Sequence, residues 1–399
     1  MRRVLAVLGI TCCAGIACSL FPLGTQAQIN RDEFNSFLRA QDSLFTQFTD
    51  SVTNEYDSFA RQQLVEFEQF KKEIDRLWDD ALYPSAKDYV EYRNDFHARF
   101  HVDFEKGDVK ASVLVDDLSR AGAFEKAKAE ILEQIQEAVQ SAGQRDPYRL
   151  ASDTSSVAGP RILHDQVVDK SGRGVNAARA AQYARDVVSS SGISVDTVVS
   201  KDGFKRIKLT AVFNLVPDHV KRRAKQYLPY ASQYSKQYHL DLRLVLAIMH
   251  TESYFNPRAT SRIPAFGLMQ LVPGTAGREA YNKVYGQDRL LTPDYLYDPQ
   301  NNIELGCAYL NLLRFTYLKD LEGDQEAYPC VIASYNGGIG TVCRALTGTK
   351  NLDNIGRAAK GKSSDELIRH LGRKLPYEET RNYLTNVLQR MALYDEWAR

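Results

Sequence analysis

Hydrophobic and polar positions change period several times along this chain. From Gln28 to about Leu82, apolar residues recur at spacings of three and four. Phe34, Phe37, Leu38, Leu44, Phe45 and Phe48 lie on one stripe with Gln41 as its polar gap, and Leu64, Phe67, Phe70, Ile74 and Leu77 continue it. That spacing predicts a long amphipathic helix whose apolar face packs on its own domain. Tyr89, Tyr92, Phe96 and Phe100 keep the helical spacing and predict a short helix. Phe100, Val102 and Phe104 then alternate, Glu105-Lys106-Gly107-Asp108 makes a turn, and Val109 to Val115 reads as a return strand. Residues 119–142 predict a helix. Ser152 to Lys170 predicts a strand leading into the turn Lys170-Ser171-Gly172-Arg173-Gly174, and 175–189 another helix. Asp196 to Ser200 and Lys205 to Leu215 predict a hairpin across Lys201-Asp202-Gly203. This mixture predicts an α+β N-terminal domain with an antiparallel sheet.

From Asp218 the pattern is helical throughout. Helices are expected at Asp218 to Tyr238, Leu240 to Tyr254, Asn302 to Tyr317, Tyr328 to Asn336, Ile339 to Leu346 and Arg381 to Ala398, and Pro273-Gly274-Thr275-Ala276 starts another. No strand pattern interrupts them, so the second domain is expected to be all-α. The division is an accessory domain at 28–217 and a helical domain at 218–399.

One position in the helical part stands out chemically. Val245, Ile248, Met249 and Glu252 fall on one stripe, and Asn256-Pro257 is expected to stop the helix. A carboxyl group on an apolar face loses hydration when charged, so its pKa rises. It can then serve as a general acid near neutral pH. Taken alone, a Glu in such a place is more often salt-bridged or held at the core edge than catalytic.

Its companions change the weighing. Glu252-Ser253-Tyr254-Phe255-Asn256-Pro257, Gly267-Leu268-Met269-Gln270 and Ala333-Ser334-Tyr335-Asn336-Gly337-Gly338 occur in that order, followed by Leu375-Pro376-Tyr377-Glu378-Glu379-Thr380-Arg381-Asn382-Tyr383. Together they resemble the signature of lytic transglycosylases with a goose-type lysozyme-like fold. Lys87-Asp88-Tyr89-Val90, Val102-Asp103-Phe104, Gln166-Val167-Val168-Asp169 and Val212-Phe213-Asn214-Leu215-Val216-Pro217-Asp218-His219 resemble the N-terminal domain of the membrane-bound lytic murein transglycosylase C family. The likeness is patchy from residue 85 to 215 and close from about 212 onward. The resemblance implies an all-α lysozyme-like (transglycosylase SLT) domain acting on peptidoglycan glycan strands.

Composition limits the alternatives. The chain has 399 residues, 25% of them charged, and a net charge of +1, which argues against a polyanion-binding surface; no nucleic-acid partner is expected. The long apolar run is N-terminal: Arg2 and Arg3 precede an apolar Val4–Leu20, and Thr25-Gln26-Ala27 offers a cleavage site. Residues 1–27 are therefore expected to be a signal peptide and the protein to be exported to the periplasm. Gly15-Ile16-Ala17-Cys18 resembles a lipobox without its usual leucine, which leaves a lipid anchor to the outer membrane as the second option. Cys307, Cys330 and Cys343 would allow one disulfide in an oxidising compartment, and the sequence does not choose the pair. The cysteines have no zinc spacing and the seven histidines are scattered, so neither metal nor cofactor is expected.

Glycosidic cleavage commonly uses two carboxylates, yet none of the motifs supplies a second one close in sequence to Glu252. One suffices if the substrate's own 2-acetamido group attacks the anomeric carbon. Gln270 can donate and accept at once, which suits a sugar amide. Tyr335 could bond the acetamido group or Glu252, or stack on a sugar. Met269 is expected to line the groove floor. The resemblance places Ser261 near the acetamido group, Asn336 beside Tyr335, and Glu379 as a late carboxylate touching sugar or peptide. It also implies attack by the muramoyl O6 in place of water, giving a 1,6-anhydro product. A lysozyme-type hydrolase on the same fold, or an inactive peptidoglycan-binding scaffold, are the alternatives.

Overall fold

The first described element is the helix α1, Arg31–Leu77, as the spacing predicts. The computed structural model describes residues 31–140, 143–145, 156–158, 162–261, 264–321 and 323–398, with side chains from Asn54 on except at 143–145, 156–158 and 325. The signal segment, Cys18 and the stripe from Phe34 to Phe48 thus lie outside what can be described, in whole or in their side chains. Among the described residues no helix is long and apolar enough to cross a membrane.

Within the unit Asn54–Arg399, five strands form an antiparallel sheet. They are β1 (Asp88–Arg93), β2 (Ala98–Asp103), β3 (Asp108–Val115), β6 (Ser194–Val199) and β7 (Lys205–Asn214), in the order β1-β2-β3-β7-β6. Between β3 and β6 come α2 (Ala123–Gln140), a small ribbon of β4 (Gly143–Arg145) and β5 (Ser156–Ala158), and α3 (Ala180–Ser191). One face of the sheet packs Phe100, Val102, Ala111 and Leu209 against Ile131 and Ile135 of α2 and Ala184 of α3. On the other, Leu114 and Val198 meet Phe70, Ile74 and Leu77 of α1, and Trp78 beyond it. The last third of the α1 stripe therefore packs on its own domain, while Leu64 is 49% exposed.

Two expectations fail here. No helix spans Tyr89 to Phe100; the segment is β1, a turn and β2. Tyr89 faces the α2 side of the sheet, whereas Tyr92 and Phe96 face the α1 side. Their spacing imitated a helix because both faces of the sheet are covered, which removes the simple alternation. Arg99 and His101, polar in sequence, are buried between the layers. Arg99 lies over Trp78 at 4.1 Å and donates to Asp80, and His101 pairs with Asp88 at 2.8 Å. The strand expected over Ser152 to Lys170 is, among the described residues, only the three of β5; the rest is turn with an isolated bridge from Val168 to Gly174. The hairpin of β6 and β7 forms as expected.

The helical part contains α4 (His219–Gln237), α5 (Leu242–Ser253), α6 (Ala276–Tyr285), α7 (Pro293–Tyr297) and α8 (Pro299–Leu312). A π turn over Leu313–Tyr317 follows, then α9 (Asp324–Gly337), α10 (Ile339–Thr347), α11 (Ile355–Ala359), α12 (Ser364–Lys374) and α13 (Glu378–Met391). Asp241 caps α5 by accepting from the Arg243 amide, and Asp298 caps α8 with Pro299 in its first turn. The core is centred on α5, where Leu244 to Met249 are all fully buried. The helix is thus enclosed nearly all round, and the stripe read from the sequence is one of several buried faces. It ends at Ser253, one residue short of the expected Tyr254, where Tyr254 and Phe255 take left-handed conformations (φ 49° and 59°) ahead of Asn256-Pro257. Cys307, Cys330 and Cys343 are buried free thiols, so no disulfide joins them.

Candidate active site

Glu252 sits in the last turn of α5, two residues before the left-handed turn that starts at Tyr254. Its side chain is half-buried, with protein packed densely around the carboxyl. Burial drives its pKa up to about 8, the Tyr383 hydroxyl pulls the other way, and the charge of Glu379 adds to the rise. At neutral pH this carboxyl is therefore largely protonated. The Tyr383 hydroxyl is turned to the carboxyl, the contact through which it lowers that pKa.

The second motif is held against the end of α5 by buried polar contacts. Ser253 Oγ donates to the Met249 carbonyl at 2.9 Å and also reaches the Leu268 carbonyl at 2.8 Å. Asn302, at the start of α8, donates from Nδ2 to the carbonyls of Phe266 and Leu296 and accepts the Met269 amide at 2.8 Å. Gly267 has φ +77°, and a Cβ there would fall 2.3 Å from the Leu296 carbonyl and 2.4 Å from Asn302 Nδ2. Only glycine allows that approach.

Met269 does not line a groove. Its side chain is fully buried, fitted against Gly306 of α8, where a Cβ would lie 2.1 Å from the sulfur. What it offers the site is its carbonyl, which accepts the Tyr335 hydroxyl at 2.8 Å. Gln270, at φ 47°, donates from Nε2 to the carbonyls of Ala259 and Gly267, both at 3.0 Å. Its donors are thus engaged, and its amide oxygen is the atom left to act as an acceptor.

Tyr335 belongs to α9, and burial, with the charge of Glu252 adding to it, pushes its pKa well above the usual value. A Tyr309 ring packs beside it at 5.6 Å. Asn336, the next residue, is bound from α13: Thr380 Oγ1 donates to its Oδ1 at 2.8 Å, and its Nδ2 donates to Glu379 at 3.4 Å. Gly337 lets Thr380 approach, since a Cβ would meet the Thr380 side chain at 2.8 Å. Glu379 itself is exposed in the first turn of α13. Ser261 is partly buried in the loop after α5, its amide donating to the Ala265 carbonyl at 3.2 Å.

The fold therefore gathers Glu252, Tyr335 and the first turns of α13 around one point, with Gln270 and the Met269 carbonyl on the loop beside it. Ser253, Asn302, Thr380 and Tyr383 were not singled out from the sequence. Tyr383 and Thr380 stand in the fourth motif and Ser253 in the first, so a motif marked them without a role. Asn302 carries no local signal, because its partners are carbonyls distant in sequence.

This architecture has relatives. Residues 229–356 match the transglycosylase SLT domain, and residues 56–226 match the N-terminal domain of membrane-bound lytic murein transglycosylase C. The chain is 30% identical over 395 residues to the membrane-bound lytic murein transglycosylase C of Pectobacterium atrosepticum, covering 97% of this chain and 98% of that one. It is 32% identical over 387 residues to the Yersinia pestis protein of the same name, covering 97% of each. Among solved structures, the 70-kDa soluble lytic transglycosylase of Escherichia coli is 27% identical over 45% of this chain and 26% of its own, with a TM-score of 0.34. With both domains matched in order and nearly the whole length aligned, the chain belongs to the membrane-bound lytic murein transglycosylase C family.

Proposed function

We propose that this lytic transglycosylase cleaves the β-1,4 bond between MurNAc and GlcNAc in peptidoglycan without water, using Glu252 as its only acid and base. The observation that carries the reading is the carboxyl at the end of α5 with tyrosines of two other helices turned to it, in surroundings whose burial raises its pKa.

In the first step Glu252 gives its proton to the glycosidic oxygen as that bond breaks, while the substrate's acetamido oxygen bonds to the anomeric carbon. In the second step the Glu252 carboxylate takes the proton of the muramoyl C6 hydroxyl as O6 displaces the acetamido oxygen. The 1,6-anhydro sugar leaves, and Glu252 is protonated again. Charge is balanced at each stage by one proton and the substrate's own groups. Because Tyr335 donates its hydrogen to Met269, its oxygen is free to accept from the acetamido N–H. The Gln270 amide oxygen offers a second acceptor. Ser261, Asn336 and Glu379 complete the proposed substrate contacts, and Met269 contributes its backbone.

We assign residues 218–399 to catalysis and 28–217 to an accessory domain, in an exported, envelope-located protein whose mature chain begins at Gln28 or, if a lipid is attached, at Cys18. Peptidoglycan digested with the purified protein should yield anhydro-ended muropeptides in mass spectrometry. Reducing ends would favour a lysozyme-type hydrolase, and no product would favour a binding scaffold.

A further inference from the structure

The turn directly after Glu252 is strained and is held from outside its own helix. Tyr254 and Phe255 are consecutive non-glycine residues in left-handed conformations, which L-residues avoid unless their surroundings impose them. The surroundings are specific. From the sheet layer, Glu105 in the β2–β3 turn accepts the Tyr254 hydroxyl at 2.6 Å, and Lys87 pairs with Glu105 at 2.7 Å while lying over the Tyr254 ring. From α13, Arg390 donates to the Tyr254 oxygen at 2.7 Å and stacks on the same ring at 4.9 Å. The backbone is gripped as well. Arg223 of α4, buried at 2% exposure, donates to the Tyr254 carbonyl and to the Phe104 carbonyl, both at 2.9 Å, and to Gln166. The His250 ring, one turn back on α5, packs edge-on against the Tyr254 ring at 4.9 Å.

We propose that Tyr254 is a positioning residue for the reaction, and that the sheet layer, acting through Glu105 and the Arg223 bridge, sets where the Glu252 carboxyl stands. The N-terminal sheet is then part of the catalytic apparatus without touching the reacting bond. This rests on Glu252 being the acid and base. A carboxyl displaced by less than an ångström loses proton-transfer geometry, whereas substrate binding made elsewhere in the groove is untouched. Water admitted beside a loosened turn would also lower the proton affinity of Glu252. The groups facing that carboxyl are Tyr383, Glu379 and Tyr335, none of which this change alters.

The test compares Tyr254→Phe, Glu105→Gln, the double variant and Glu252→Gln in the full-length protein on purified peptidoglycan, with thermal melting of each. Tyr254→Phe removes the hydroxyl bonds, keeps the ring and changes no charge. The expected result is a kcat about tenfold lower with KM within about twofold of the parent for each single variant. The double variant should be no worse than the weaker single one, and the high-pH limb should move to lower pH in both. Parent-like kcat and limb in both singles, with Glu252→Gln inactive, would overturn the positioning role alone. An active Glu252→Gln would overturn it together with the single-carboxylate reading.

Discussion

The Tyr335 hydroxyl donates to the Met269 carbonyl at 2.8 Å, tying the helix of one motif to the loop of another. That bond fixes the ring beside Glu252 and leaves the phenolic oxygen as an acceptor. Tyr335→Phe should therefore lose about 1 kcal/mol of stability, the net worth of one such bond. Activity should fall further, about tenfold, because the acceptor toward substrate is lost as well. Chemical denaturation and product release from peptidoglycan measure the two separately.

Glu252→Gln should lower the rate at least about a thousandfold, within the range that general acid–base catalysis supplies. The amide keeps shape and hydrogen-bonding capacity and cannot transfer a proton. Sedimentation with insoluble peptidoglycan should show binding retained, and circular dichroism the fold retained.

The stability of the same variant should depend on pH in a defined direction. The folded-state pKa of Glu252 is raised from 4.5 to about 8, so the unfolded chain ionises first. The ionised form is disfavoured in the fold. Its cost is absent below about pH 4.5, grows as pH rises and levels off above about 8. Glu252→Gln escapes it and should melt several degrees above the parent at pH 8, with the gap closing toward pH 4. Melting curves across that range check the sign.

Tyr383→Phe removes the hydroxyl that lowers the Glu252 pKa. The high-pH limb of the rate profile should move upward. A limb that moves down would contradict the assigned direction.

Gly267→Ala should be among the most damaging small substitutions. It combines a φ of +77° with a Cβ at 2.3 Å from a backbone oxygen. Strain and overpacking together should cost on the order of 3 kcal/mol or more. Melting temperature and activity should fall together, since the loop carries Met269 and Gln270.

Local order along the chain determined a good deal. The helices α4, α5 and α8 and the hairpin of β6 and β7 follow from apolar spacing and turn residues, because each is specified by neighbours within a few positions. Glu252, Gln270, Tyr335 and Glu379 were legible as a set because they stand in ordered motifs. Other features are set by contacts between distant residues. Tyr89 and Tyr92 read as a helical pair until a sheet covered on both faces placed them on opposite sides. Met269, adjacent to Gln270, turned into the core because Gly306 leaves room for its sulfur. The last turn of α5 is likewise set from afar: groups on the β2–β3 turn, α4 and α13 hold Tyr254, just past Ser253, in a conformation its own sequence disfavours. The protonation of Glu252 belongs to the same class. Helix spacing marked a carboxyl on an apolar stripe, but the burial that lifts its pKa arises only in the fold, which also brings up Tyr383 to lower it and Glu379 to raise it, both more than a hundred positions away. Desolvation is a property of the volume around a group, and only the folded chain creates that volume.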